Sequence, residues 1–364
     1  MNTNEKKTRE PLVHITKRTG VTLKQSIIIR ASAIVLSLIF SALVVMVVAG
    51  ANPIKVISSL FSGAFGTERR IWNLLNETAI LLGISLALTP AFKMKFWNCG
   101  GEGQVLVGAL ATASCMFFLG DALPLPLLFL VMLVTSVVSG AVWGLIPAIF
   151  KAIFGTNETL FTLMMNYIAT QIVAYCLKSW IKSGSGVMPV MENLRFPKLF
   201  GQDHLLTILV MLAVCVLMFV YFKYSKQGYE ISVVGESENT AKYIGINVKR
   251  VVIRTMLISG ALCGLVGLFL VANGSCTISA NIVGGRGFTA IMISWLAKFN
   301  PFIMILTSLL VAILTRGSTQ ISTDLRLPSS TGDIITAIVL LFIIGCEFFI
   351  NYKLNFRKSK KEVE

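Results

Sequence analysis

Apolar runs of about twenty residues recur along this chain from Ile27 to Ile350, and no other feature limits its fold as strongly. A helix rises about 1.5 Å per residue, so each run is long enough to cross roughly 30 Å of hydrocarbon. Inside lipid every backbone N–H and C=O must be satisfied within the protein, which leaves helices as the spanning element for runs of this length. Composition agrees. Hydrophobic residues make up 55% of the chain and charged residues 13%, with a mean hydropathy of +0.78. A soluble domain carries roughly 25% charged residues to cover its surface. The fold class is therefore all-α: a polytopic membrane protein with about ten transmembrane or half-membrane helices.

The segments read as 27–49, 72–91, 104–120, 124–150, 159–180, 205–222, 251–272, 288–299, 301–315 and 333–351. The stretches 288–299 and 301–315 are short and separated by Asn300-Pro301, so they read as two half-length helices meeting at a break. The N-terminus lacks the pattern of a cleaved secretory signal, because about thirty polar and basic residues precede the first apolar run.

Net charge is +15, which in a soluble domain would point to nucleic acid. Here the basic residues sit at segment ends. With the N-terminus inside and ten alternating segments, most of the 32 Lys and Arg fall on the cytoplasmic side. They are Lys6, Lys7, Arg9, Lys17, Arg18, Lys24 and Arg30, then Lys93, Lys95 and Lys151, then Lys223 to Arg254, Lys298, and Lys353 to Lys361. This follows the positive-inside rule and places both termini in the cytoplasm, with no nucleic-acid partner. The expected organisation is a basic cytoplasmic segment 1–26, a transmembrane domain 27–351 and a basic tail 352–364.

Catalytic constellations are missing from the sequence. His14 and His204 are the two histidines, too few for a zinc site or a His-based triad. No GxxxxGK[ST] loop occurs, so the chain has no ATPase site of its own and is not expected to be an enzyme. GGRGF at 284–288 has clustered glycines without the strand and helix context of a dinucleotide fold. The seven cysteines have no CxxC spacing, lie mostly in apolar runs and suggest neither a disulfide framework nor a metal.

Polar residues at or within the membrane carry more information, because they are costly there. Asn76 and Glu77 begin the second span, and Asn98, Glu102 and Gln104 stand in the Gly-rich break FWNCGGEGQ. Asn157 and Glu158 begin the fifth span, with Asn166 further in. Asn98, Glu102, Gln104, Asn157, Glu158 and Asn166 are the candidates for lining a translocation path. The competing reading for each is helix capping and interhelical hydrogen bonding. Asp333 and Glu347 in the last span share that ambiguity. Gly260, Gly264 and Gly267 lie near one face of the seventh segment and read as a helix-packing seam.

The longest polar loop is 223–250, on the cytoplasmic side. Within it Ser237–Tyr243 (SENTAKY) reads as a short helix with Ser237 as N-cap and Gly245 as its stop, a projection that a partner protein could grip.

Four stretches in order, FWNCGGEGQVLVGALATA (96–113), GTNETLFTLMMNYIA (155–169), GYEISVVGESENTAKYIGINVKRVVIRTMLISGALCGLVG (228–267) and GGRGFTAIMISWLAKFNP (284–301), span most of the chain. Together they resemble the permease subunits of ATP-binding-cassette (ABC) importers of the branched-chain amino acid and simple-sugar superfamily. The nearest pattern is that of the nucleoside-importer branch, with NIGAEGQ, GTNE, AAxYAGIN and GRGF; this chain departs from it in NCGGEGQ and TAKYIGIN. The resemblance implies uptake of nucleosides across the bacterial cytoplasmic membrane by ATP-driven alternating access. It implies an ABC ATPase subunit that holds ATP and Mg²⁺, a second and different permease chain, and an extracellular substrate-binding lipoprotein. No cofactor is expected in this chain itself. Glu236, Ser237, Ala241, Tyr243, Gly245 and Asn247 become, by the same resemblance, the residues that couple to the ATPase. Two alternatives stand beside it: the same machinery carrying a simple sugar or branched-chain amino acid, and an ion-coupled secondary transporter. The latter needs acidic residues deep in spans, whereas Glu77, Glu102, Glu158 and Glu347 read as lying near span ends.

Overall fold

The computed structural model describes residues 13–18, 23–181 and 184–356. In chain order it contains strand β1 (Val13–Lys17) and helices α1 (Leu23–Ala49), α2 (Pro53–Phe65), α3 (Glu68–Lys93), α4 (Gly101–Leu119) and α5 (Leu125–Phe154). Then come α6 (Glu158–Trp180), α7 (Leu205–Tyr224), α8 (Lys226–Glu236), α9 (Glu238–Tyr243) and α10 (Val248–Phe269). Helices α11 (Arg286–Leu296), α12 (Pro301–Asp324) and α13 (Ser329–Asn351) and strand β2 (Tyr352–Phe356) complete the chain. Among the described residues, nine helices are long and apolar enough to cross a membrane: α1, α3, α4, α5, α6, α7, α10, α12 and α13. The basic residues Lys6, Lys7 and Arg9 and the tail from Arg357 to Lys361 lie outside the described residues.

Two features differ from the sequence reading. Helix α2 was not anticipated; its 13 residues are too few to span. Helix α12 runs 24 residues and is a full-length crossing where a half-length one was expected. Beyond its apolar run the hydroxyls bond back to carbonyls one turn earlier, Thr319 to Thr315 at 2.9 Å and Thr323 to Thr319 at 2.9 Å, so they need no partner outside the helix.

The chain forms two compact units, residues 1–64 with 314–364, and residues 65–313. In the first, α1 and α13 run antiparallel. Arg30 meets Glu347 at 2.5 Å, and Phe40 meets Phe342 with ring centroids 5.6 Å apart. Strand β1 pairs antiparallel with β2, Val13 opposite Phe356 and Lys17 opposite Tyr352. The start of α1 and the end of α13 therefore lie at the same end of this pair. Helix α2 packs on α12 through glycine: a Cβ on Gly63 would come within 2.6 Å of the Gln320 Cβ.

The second unit is built on a glycine seam joining α4, α5 and α10, as the spacing of Gly260, Gly264 and Gly267 anticipates. A Cβ on Gly264 would meet the Ser136 carbonyl at 2.1 Å, one on Gly140 the Gly260 carbonyl at 2.4 Å, and one on Gly267 the Val105 carbonyl at 2.4 Å. Lipid supplies no hydrophobic drive for helices to associate, so this backbone-to-backbone approach and its dispersion contacts hold them together. Along the seam α5 runs antiparallel to α10, and α4 runs parallel to it.

We expect Gly264→Val to lower stability by about 3 kcal/mol, because the added atoms collide with backbone that cannot rotate away. Gly345→Ala, where nothing lies within 4 Å of the new Cβ, is the control and should be neutral. Denaturant unfolding in detergent micelles measures both; equal stability of the two variants would remove the seam from the fold's foundations.

Candidate functional site

Two crossings of the second unit are discontinuous. The first consists of the irregular segment 94–100 followed by α4, the second of the irregular segment 276–285 followed by α11. Helix α11 runs parallel to α3, since Arg286 bonds Glu77 and Ser294 bonds the Ser85 carbonyl at 3.0 Å, the same separation in sequence. Counting α11 with its irregular lead-in as a crossing brings the total to ten. An even total agrees with the pairing of β1 and β2.

The exposed backbone of 94–100 is satisfied by side chains of neighbouring helices. Cys99 N–H donates to Thr162 Oγ1 at 3.1 Å, Asn166 Nδ2 donates to the Cys99 carbonyl at 2.9 Å, and Gly103 N–H donates to Asn166 Oδ1 at 2.8 Å. Asn98 and Gln104 are fully buried and bond each other and Ser259 of α10, at 3.3–3.4 Å. Asn157 caps α6 by accepting from Leu160 N–H at 3.1 Å, and Glu158 pairs with Lys151 at 2.7 Å. Five of the six path candidates thus engage in caps, an ion pair and interhelical bonds. On the far side, the loop after α6 holds the second irregular segment: Met188 N–H donates to the Ile278 carbonyl at 3.0 Å and Met191 N–H to the Cys276 carbonyl at 2.9 Å.

Where the broken crossings meet, they are locked by an ionic joint. The carboxylate of Glu102, in the first turn of α4, accepts from Gly285 N–H and Gly287 N–H, both at 2.7 Å. These are donors at the N-terminus of α11 that have no intrahelical partner. Gly285 has φ +79° and a Cβ on Gly287 would lie 2.5 Å from the Glu102 nitrogen, so both positions require glycine. Arg286 between them forms a two-pronged bond to Glu77, Nε to Oε1 at 2.5 Å and Nη2 to Oε2 at 3.0 Å, and its Nη1 donates to the Val283 carbonyl at 2.9 Å. Two carboxylates face one guanidinium and the positive end of a helix, which leaves the joint close to neutral. Glu77 is only 4% exposed and lies about 14 Å along α3 from its start, inside the membrane span. Glu77 and Glu102 therefore sit deep, contrary to the sequence reading. Helix α3 starts nine residues before Glu77, and α4 begins part-way along α3 because 94–100 turns back into the protein. A second tie joins the same crossings, with Trp97 stacked on Trp295 at 5.5 Å and both edge-on to Phe92.

The polar loop folds as expected around Ser237. Its hydroxyl accepts from Thr240 N–H at 3.2 Å and starts α9, and Gly245 ends the turn with φ +84°. Asn247 caps α10 by accepting from Arg250 N–H at 3.1 Å. Ala241 is buried beneath α9 while Tyr243 is 96% exposed, with Glu236, Ile244 and Asn247 also exposed. Helix α8 presses on the end of α3 so closely that a Cβ on Gly235 would lie 2.0 Å from the Lys93 carbonyl.

Sequence reasoning missed one face of α6. Tyr167, Gln171 and Tyr175, spaced one helical turn apart, border a concavity of about 410 Å³ with Ile168 and Ile172. Tyr167 is 69% and Tyr175 75% exposed, and Gln171 is exposed between them. Gln171 stands about 20 Å into the helix, where a lipid-facing amide would have no hydrogen-bond partner. The detectable signal is an amide between two tyrosines at i, i+4 and i+8 within an otherwise apolar span.

The family described as branched-chain amino acid transport system / permease component matches residues 70–344. The guanosine ABC transporter permease protein NupP of Bacillus subtilis is 31% identical, over 90% of this chain and 95% of that protein. The nucleoside ABC transporter permease protein NupB of Lactococcus lactis subsp. cremoris is 27% identical, over 93% and 96% respectively. The glucose ABC transporter permease protein TsgB13 of Haloferax volcanii is 27% identical over 86% of each chain.

Removing one partner of the joint should be costly. Glu77→Gln leaves the Arg286 charge without its carboxylate in a low-dielectric site and is expected to destabilise the protein by about 3–5 kcal/mol. The double variant Glu77→Leu/Arg286→Met should recover most of that loss. Unfolding of the three proteins in detergent tests it, and a single variant as stable as the wild type would mean that the carbonyl contacts alone hold Arg286.

Proposed function

The chain belongs to the permease-component family of branched-chain amino acid transport systems, a multi-pass protein of the cell membrane, and on that premise we propose that it forms one membrane half of an ATP-driven nucleoside importer. The observation that carries the cargo is the α6 face. A nucleoside is uncharged, with a flat base whose faces stack on aromatic rings and whose edge carries donors and acceptors. Tyr167 and Tyr175 offer the rings, and the Gln171 amide offers both a donor and an acceptor. The names of the Bacillus and Lactococcus relatives point the same way. A simple-sugar cargo is the second reading, supported by the Haloferax relative. Ion coupling is disfavoured because Glu77 and Glu102, the deep carboxylates, are held by Arg286 and the α11 N-terminus.

Lys93, Lys151, Lys223 and Lys298 mark one end of the second unit, which the positive-inside rule makes cytoplasmic. The termini, segments 1–26 and 352–364, and the loop 223–250 belong on that side. A partner ATPase, which carries ATP and Mg²⁺, grips Tyr243 and Ile244 on α9. Motion there reaches α3 through the contact of Gly235 with the Lys93 carbonyl, and α3 carries Glu77 and hence both broken crossings. Glu236, Ser237, Ala241, Gly245 and Asn247 shape this handle, while a second permease chain closes the path opposite α6 and an extracellular lipoprotein delivers the cargo. The bonds of the six polar path candidates support a scaffolding reading for Asn98, Gln104 and Asn166, a joint for Glu102 and a place at the start of α6 for Asn157 and Glu158.

Uptake of labelled uridine and guanosine in cells lacking this gene, with variants restored, tests the proposal. Tyr167→Ala and Tyr175→Ala should each raise KM for nucleoside about ten-fold, with Phe at either position close to wild type. Wild-type uptake suppressed by excess glucose and not by nucleosides would overturn the cargo. Gly245→Val, forcing a branched side chain into positive φ, should reduce the maximal rate and leave KM unchanged; full activity would remove α9 from the coupling route.

A further inference from the structure

At the cytoplasmic end of the second unit, three lysines from three different elements converge on one cavity. Lys93 ends α3, Lys223 lies one residue before the end of α7, and Lys298 stands in the link between α11 and α12. With Phe219, Phe222, Phe299, Asn300 and Pro301 they line a space of about 340 Å³. Lys93 Nζ lies 4.3 Å from the centroid of the Phe222 ring, and Lys223 Nζ lies 5.4 Å from that of Phe219. Among the described residues no carboxylate comes within ion-pair distance of Lys93 or Lys223. Lys298 and Phe299 both hold positive φ, at 51° and 59°, so the link adopts a backbone that side chains rarely take in order to reach this position. Asn300 caps α12 by accepting from Phe302 N–H at 3.1 Å, which brings the positive end of a 24-residue helix to the same place.

Like charges gathered around one cavity repel unless an anion joins them. We propose that this cavity binds the phosphate of an anionic phospholipid headgroup. Its height in the structure selects a lipid over a soluble anion: the lysines sit at the ends of membrane-crossing helices, where headgroups lie. Below them the wall turns apolar. Phe219, one turn before Lys223 on α7, packs on Phe302 with ring centroids 4.8 Å apart, and Phe302 is half exposed. The site is thus basic above and aromatic below, the profile of a phospholipid at the interface. Because it touches the end of α3 beside the contact with α8, an occupied site would brace the region through which the coupling loop acts. The site is independent of the cargo assignment.

Native mass spectrometry of the full-length permease, assembled with its partners in mild detergent, tests it with phosphatidylglycerol, phosphatidylcholine and inorganic phosphate as probes. Phosphatidylglycerol adducts should exceed phosphatidylcholine adducts, and millimolar phosphate should not displace them. Replacing all three lysines by Gln should weaken phosphatidylglycerol binding by more than about ten-fold, and each single Lys→Gln by about five-fold. The triple Lys→Arg variant keeps the charge and should bind like the wild type. If the triple Gln variant cannot be recovered, the single variants and the wild-type comparison decide. Equal uptake of the two lipids by the wild type, unchanged binding in the Gln variants, or displacement by free phosphate would each overturn the proposal.

Discussion

The second unit depends on a constraint more than on any single bond: backbone that leaves the helical path inside a membrane must find its hydrogen bonds within the protein. Segments 94–100 and 276–285 both break that path. The first is repaired by Thr162 and Asn166 of α6, the second by the loop before α7 and by Glu102. Glu102 does the most, because one carboxylate belonging to the first broken crossing caps the start of the second. Arg286 then fixes that start to α3 through Glu77. Removing these groups would leave bare donors and a bare charge where water cannot reach them, which explains why so polar a cluster lies so deep.

Around this joint the packing is made of small residues. Gly108, Gly140, Gly260, Gly264 and Gly267 bring the backbones of α4, α5 and α10 together at distances that exclude a Cβ. Close backbone packing of this kind behaves as a rigid block, and α3 lies against it. The loop 223–250 reaches this block at several places: Gly235 lies on the Lys93 carbonyl, Glu230 pairs with Arg254 at 2.9 Å, and Ile231, Val234 and Ala241 pack against Ala148, Val251 and Met256. Helix α9 connects to α3 through α8 and to the block through α10, and α3 carries the attachment point of both broken crossings. The continuity is physical, through touching atoms, and gives the alternating-access reading a definite route.

The deep carboxylates also separate the transport classes. Charged groups free to bind an ion in the span would favour secondary transport. Here their acceptor atoms are taken by Arg286 and by the backbone of α11, so energy has to enter elsewhere, and the exposed α9 handle is suited to that. The α6 face differs in kind from the buried polar residues: Tyr167, Gln171 and Tyr175 are exposed, where Asn98, Gln104 and Asn166 are buried.

By itself the sequence determined the class, the glycine seam, and the start and stop of α9, because each follows from local rules: run length, small-residue spacing, and a Ser cap followed by a glycine turn. The four motifs determined the family. Only the tertiary structure decided what the polar residues bond to. Asn98, Gln104 and Asn166 look the same in a string of letters whether they face a cargo or another helix, and their partners lie as far as 161 residues away. GGRGF offered too little local context to interpret until Glu102 and Glu77, 183 and 209 residues distant, were brought against it. The i, i+4, i+8 spacing of Tyr167, Gln171 and Tyr175 marks a face of α6 in the sequence, but whether that face stays open is set by the neighbours that pack against it.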